Sequence, residues 1–179
     1  YSDSYNLNSF PSYQEYILSS QFKIHGLAVY YPDGKREFRR DADVLLHELQ
    51  SVYGNNLENA CIIMHNAMFD AAILKYKFNI IPPCIHDTML MAKYLFGVDV
   101  KVSLKELAER CHLPAKLDLE FSKGKRELTA AEFAELRTYA INDVVITREL
   151  YDHIVPEILP EELEIINHTV QCFLRDAIK

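Results

Sequence analysis

Apolar positions in this 179-residue chain switch between short continuous runs and helical spacing, and the two patterns succeed one another along the sequence. Residues 24–31 and 37–40 read as strands joined across Pro32-Asp33-Gly34. Proline presets one φ of such a turn and glycine supplies a positive one, so the pair predicts an antiparallel hairpin. After Asp41-Ala42-Asp43, the spacing of Val44, Leu45, Leu49 and Val52 predicts an amphipathic helix. Cys61-Ile62-Ile63-Met64 is short and fully apolar, which predicts a buried strand, and a short helix follows from Asp70 to about Lys77. Pro82-Pro83 breaks the chain before a short strand at Cys84-Ile85, and residues 89–96 read as a helix stopped by Gly97. Ser103-Leu104-Lys105-Glu106 and Thr129-Ala130-Ala131-Glu132 each carry the capping-box pattern that opens a further helix. From Glu161 onward Leu163, Ile166, Val170, Phe173, Leu174 and Ile178 recur at helical spacing. A hairpin followed by alternating strands and helices predicts an α/β fold with a mixed sheet flanked by helices.

The length suits one domain with a sizeable core, and half the residues are apolar without any run long enough to span a membrane. The first residues lack the basic-then-apolar order of a signal peptide, so a soluble, cytoplasmic protein is expected. Cys61, Cys84, Cys111 and Cys172 show no C-x-x-C spacing, which predicts four reduced thiols in a reducing compartment rather than disulfides or zinc. A net charge of −7 argues against a broad surface for wrapping nucleic acid, because affinity for phosphate backbones comes mainly from Lys and Arg. It does not argue against gripping a few terminal nucleotides through metal ions held by acids. Residues 116–127 are polar and aperiodic, a surface loop whose Lys123, Lys125 and Arg126 either touch phosphates or form a solvated tip.

Chemistry concentrates in two places. His65-Asn66-Ala67-Met68-Phe69-Asp70 sets a carboxylate just after the apolar strand, and strand ends are where α/β folds display reactive groups. Tyr139-Ala140-Ile141-Asn142-Asp143 sets a phenol four residues before an acid, on one helix face. An Asp at a helix start is ordinarily a cap, and Asp87 is read that way, while His65 reads as a hydrogen-bonded strand-end residue and Phe69 equally well as core. Neither a nucleophile elbow nor a glycine-rich phosphate loop is present.

Taken together, His65-Asn66-x-x-Phe69-Asp70 and Tyr139-x-x-x-Asp143 resemble the second and third motifs of the DEDDy 3′–5′ exonucleases, in particular the proofreading domain of family A (DNA polymerase I type, phage-like) DNA polymerases. His86-Asp87-Thr88-Met89-Leu90-Met91-Ala92 and Val102-Ser103-Leu104-Lys105-Glu106-Leu107-Ala108 resemble the segments between them. The first motif, Asp-x-Glu, falls on Tyr1-Ser2-Asp3 or on Asp3-Ser4-Tyr5; the first register is preferred, and either leaves one ligand short. The strand that precedes this motif would lie upstream of Tyr1. The resemblance implies a ribonuclease H-like mixed sheet of five strands flanked by helices, an exonuclease domain over residues 1–160, and a helix over 161–179 leading toward a polymerase domain. It implies that Asp70, Asp143 and Asp3 hold two divalent ions, Mg²⁺ or Mn²⁺, that Tyr139 orients the attacking water, and that Asn66, Phe69 and His65 contact the 3′ end of single-stranded DNA. The implied activity is removal of nucleoside monophosphates during proofreading in a bacterial or phage-infected cell, strongly reduced in the chain as written because Tyr1 stands where the first motif has its Asp. A catalytically inactive nuclease fold serving as a binding or structural module, and an RNase D-like exoribonuclease, are the alternatives.

Overall fold

The computed structural model describes residues 7–118 and 127–175. A 3-10 turn, Leu7–Ser9, leads into helix α1, Tyr13–Leu18, whose N-cap Ser12 accepts a hydrogen bond from the Glu15 amide. The sequence pattern gave no sign of α1 beyond that Ser-x-x-Glu. Strands β1, Leu27–Tyr30, and β2, Arg36–Arg39, pair antiparallel with Leu27 opposite Arg39. The hairpin closes as expected across Pro32-Asp33-Gly34: Gly34 sits at φ +88° and the Tyr31 amide donates to the Lys35 carbonyl at 2.8 Å. Helix α2, Ala42–Tyr53, buries Ala42, Leu45 and Leu46, whereas Val44 and Val52 face water, so the apolar stripe is narrower than the spacing predicts.

Strand β3, Ile62–Met64, pairs parallel with β4, Ile85–Asp87, placing Ile62 beside Ile85 and Met64 beside Asp87. Helix α3, Ala67–Phe78, lies between them in sequence and starts one turn earlier than expected, before Asp70. Helices α4, Thr88–Phe96, and α5, Leu104–Arg110, follow. Helix α6, Ala130–Ile154, runs for 25 residues behind the full reciprocal capping box of Thr129 and Glu132. After the 3-10 turn Val155–Glu157 comes α7, Pro160–Leu174.

The expected five-stranded sheet is corrected to two sheets of two strands each among the described residues, β1–β2 and β3–β4. The alternation of the sequence marks strand-forming segments but not their partners, and no described strand hydrogen-bonds to both pairs. Helices hold the two sheets in one body. Met91 and Ala92 of α4, Leu104 and Leu107 of α5, and Ile146, Leu150 and Ile154 of α6 form one buried cluster, which Ile166 of α7 joins. A second cluster sets Val170 and Leu174 of α7 against Ala67 and Ala71 of α3 and Ile85 of β4. The tail helix is thus part of this domain's core. It also covers the outer edge of β4: the Asn167 side-chain oxygen accepts from the Ile85 amide at 2.9 Å, and its nitrogen donates to the Pro83 carbonyl at 3.0 Å. A side-chain amide there does the work of a neighbouring strand. No helix among the described residues is long and apolar enough to cross a membrane.

The expectation of four reduced, buried cysteines is also corrected. Cys61 and Cys84 form a disulfide with their Cα atoms 4.7 Å apart, and only Cys111 and Cys172 are free. Cys61 is exposed and the other three are half-buried. The 23-residue separation carries no motif, but the parallel register of β3 and β4 extends back by one residue to set Cys61 beside Cys84. The argument for a reducing compartment from unpaired cysteines falls with it.

Candidate active site

Asp87 organises the turn beneath the site. It is fully buried, and its two carboxylate oxygens accept from the Asn66 and Ala67 amides, both at 3.0 Å, and from the Met89 amide at 2.9 Å. It therefore caps α4, as its sequence position predicts, and also the start of α3. Burial raises its pKa, and its backbone hydrogen bonds oppose that rise. Asn66 takes the left-handed conformation, φ 61° and ψ 53°, which Asn tolerates better than most residues. The Asn66 side chain makes no cap bond and is exposed.

One turn into α3, Asp70 opens to solvent. Crowding by protein atoms, and then the negative charges of Asp87 and Asp143, push its carboxyl up to about 6. Water reaches the group and screens all three effects. The charge of Asp143 thus reaches Asp70 although they sit on different helices, α6 and α3. His65 precedes this turn, with Nδ1 2.9 Å from the Thr88 hydroxyl. Burial, aided by the positive charge of Lys116 and opposed by a bond to the Val102 backbone, holds His65 down at about 4, so its ring is neutral at neutral pH. Phe69 packs its ring against Tyr13 and Tyr16 of α1, with centroids 6.0 and 6.3 Å away.

Tyr139 and Asp143 do share one face of α6, and the group that joins them is Lys116. Its ammonium donates to both carboxylate oxygens of Asp143 at 2.5 Å and to the Tyr139 hydroxyl at 2.8 Å, and it lies 4.4 Å from the centre of the Tyr139 ring. Burial lowers the Lys116 pKa, but the bonds to Asp143 and Tyr139 outweigh it and leave it raised. Asn142 sets the lysine in place: its side-chain oxygen accepts from the Leu117 amide at 3.2 Å and its nitrogen donates to the Ala115 carbonyl at 3.4 Å. Sequence reasoning put Lys116 at the edge of a polar loop and missed this role. The available signal was the amide of Asn142 directly before the acid.

Tyr139 and Asp143 stand together on α6 around Lys116, and the charge of Asp143 reaches Asp70 on α3, whose first turn also carries Asn66 after His65. Asp3 lies outside the described residues, as do Lys123, Lys125 and Arg126. The donor set suits a hard divalent cation: carboxylates from two elements that repel one another, one of them already neutralised by a positive group. A cavity of about 910 Å³ lies elsewhere, lined by Ile81, Pro83 and the face of α7 that carries Ile165, and contains none of these residues. A family model described as 3′–5′ exonuclease, of the DNA polymerase A type, matches residues 17–159. No curated protein and no solved structure matches the chain.

Proposed function

The chain belongs to the DNA polymerase A type 3′–5′ exonuclease family, and from that we propose that it removes nucleoside monophosphates from the 3′ end of single-stranded DNA, as the proofreading unit of a DNA polymerase. The observation that supports the reading is the pairing of Tyr139 and Asp143 on one face of α6 around Lys116, with the Asp143 charge felt at Asp70 on α3. Asp70 and Asp143 would hold divalent ions, with Asp3 as a further carboxylate by resemblance. Magnesium or manganese, when bound, supplies positive charge at the scissile phosphate and a more acidic water. The Tyr139 hydroxyl would orient the attacking water for in-line displacement at phosphorus. The bond to the 3′ oxygen of the penultimate sugar breaks, leaving a new 3′ hydroxyl and a free 5′-monophosphate. The exposed Asn66 amide offers hydrogen bonds to the terminal nucleotide, and neutral His65 adds no charge beside the carboxylates.

A 5′-labelled DNA oligonucleotide incubated with the full chain and Mg²⁺ or Mn²⁺ shortens by single nucleotides from its 3′ end. Asp70→Ala and Asp143→Ala each abolish this, since either change removes a metal carboxylate worth several kcal/mol of transition-state stabilisation. Tyr139→Phe reduces it by roughly tenfold, because the water keeps its metal contacts. Shortening of an RNA oligonucleotide instead would move the assignment to an exoribonuclease. One feature favours a second reading, an inactive binding module: Lys116 already neutralises Asp143, at the place where a cation would act. Manganese binding without cleavage of any 3′ end would establish that alternative.

A further inference from the structure

On the face of the β3–β4 sheet that carries residues 61, 84 and 86, the ligand atoms of Cys61, Cys84 and His86 lie within 4.8 Å of one another. We infer that, once the Cys61–Cys84 disulfide is reduced, these three side chains form a binding site for a soft or borderline divalent cation, with zinc as the fitting chemistry. The inference is independent of the exonuclease reading.

The parallel register sets 61 beside 84, and strand alternation returns the side chain of 86 to the same face. The His86 Nε2 stands 3.9 Å from the Cys84 sulfur. A tetrahedral zinc with a sulfur bond near 2.3 Å and a nitrogen bond near 2.0 Å needs those two atoms about 3.5 Å apart, so the existing separation already approaches the required edge. The other ring nitrogen, Nδ1, is 3.0 Å from the Tyr151 hydroxyl of α6, and the two rings stack with centroids 5.8 Å apart. Coordination through Nε2 places the proton on Nδ1, where the Tyr151 oxygen accepts it, the outer hydrogen bond that metal-ligating histidines ordinarily have. Cys61 is exposed, which gives the ion an entry path and leaves a fourth position for water.

The redox step balances simply. A dithiol reductant delivers two electrons and two protons to the disulfide and is itself oxidised to a disulfide, and binding of the cation by the two resulting thiolates releases those protons. Disulfide and cation site are therefore mutually exclusive.

Cobalt(II) is the probe. The full chain is reduced, freed of reductant under anaerobic conditions and titrated with cobalt, following the thiolate-to-cobalt charge-transfer band in the near ultraviolet. The expected result is one such ion per chain, displaced by zinc, with no band in the oxidised protein. Cys61→Ser and Cys84→Ser each remove the band, and His86→Ala weakens binding at least tenfold. Cys172→Ser leaves it intact, which separates this site from the Cys172–His168 contact at 3.2 Å on α7. Asp143→Ala also leaves it intact, because oxygen ligands give no thiolate band. Circular dichroism confirms folding, and Cys61→Ser alone decides the matter should Cys84→Ser unfold. Absence of the band from the reduced protein, or its survival in Cys61→Ser, overturns the inference.

Discussion

Lys116 and Asp70 hold opposite ends of the electrostatics in the candidate site. The ammonium of Lys116 bonds both oxygens of Asp143, so a divalent ion arriving there must displace it. Lys116→Met keeps the aliphatic stem and removes the competitor. Calorimetric titration with Mn²⁺ is expected to show binding tighter by roughly tenfold, the equivalent of about 1.4 kcal/mol; equal or weaker binding would show that Lys116 supports the site instead. Asp70 behaves in the other direction. Its folded pKa of about 6 lies above its ordinary value of 3.8, so the folded chain holds that proton more tightly than the unfolded chain. The stabilisation is complete below the lower value and is lost as pH rises through the upper one. Ionised Asp70 thus destabilises the fold at about pH 8, by no more than about 1 kcal/mol given its exposure to water. Asp70→Asn should melt a few degrees higher than the parent at that pH and level with it near about pH 4, while losing nuclease activity. Equal melting temperatures throughout would refute the raised pKa of Asp70.

Between the elements, Asp87 is the hinge pin of the β3–α3 and β4–α4 turns. Three backbone amides, those of Asn66, Ala67 and Met89, donate to a carboxylate with no exposed surface. Asp87→Ala orphans all of them and leaves a cavity, and the expected cost in urea unfolding is about 3–5 kcal/mol, well beyond the loss of an ordinary N-cap. Thr129→Ala at the exposed start of α6 should cost only about 1 kcal/mol, although it too breaks a complete capping box. A comparable loss at both positions would mean that Asp87 acts as a simple cap. Because the α3 turn carries His65, Asn66 and Asp70, the pin also sets the geometry of the site.

For the molecule as a unit, α7 is the decisive piece. The family match ends at residue 159, directly before it, yet Ile166, Val170 and Leu174 are buried against α3, β4 and the α4–α6 cluster. Fully burying each such side chain contributes about 1.5–3 kcal/mol. Asn167 and Gln171 further occupy backbone groups at residues 82–85, Gln171 donating to the Pro82 carbonyl at 2.7 Å. A fragment ending at residue 159 is therefore expected to lose cooperative thermal unfolding and to bind a hydrophobic dye. A sharp melt for that fragment, close to that of the full chain, would show that α7 is dispensable.

Interactions that close within one or two turns of chain are readable from the residues alone. The Pro32-Asp33-Gly34 turn, the Thr129–Glu132 box, the Gly97 stop of α4 and the shared face of Tyr139 and Asp143 all follow from local dihedral preferences and helical periodicity. The same local order carries the motifs His65 to Asp70 and Tyr139 to Asp143, and with them the family. Tertiary structure decided what sits across from each of these. Lys116 reaches Asp143 over 27 residues, Cys61 meets Cys84 over 23, and Asn167 closes the edge of β4 from 82 residues away. No local period selects any of these separations. They depend on strand register and on how helices cross, which are chosen by the packing of the whole core. Strand pairing belongs to the same class, since an apolar run of three or four residues states a tendency to extend and not the identity of its neighbour; the resemblance implied five paired strands, and among the described residues two sheets of two stand instead.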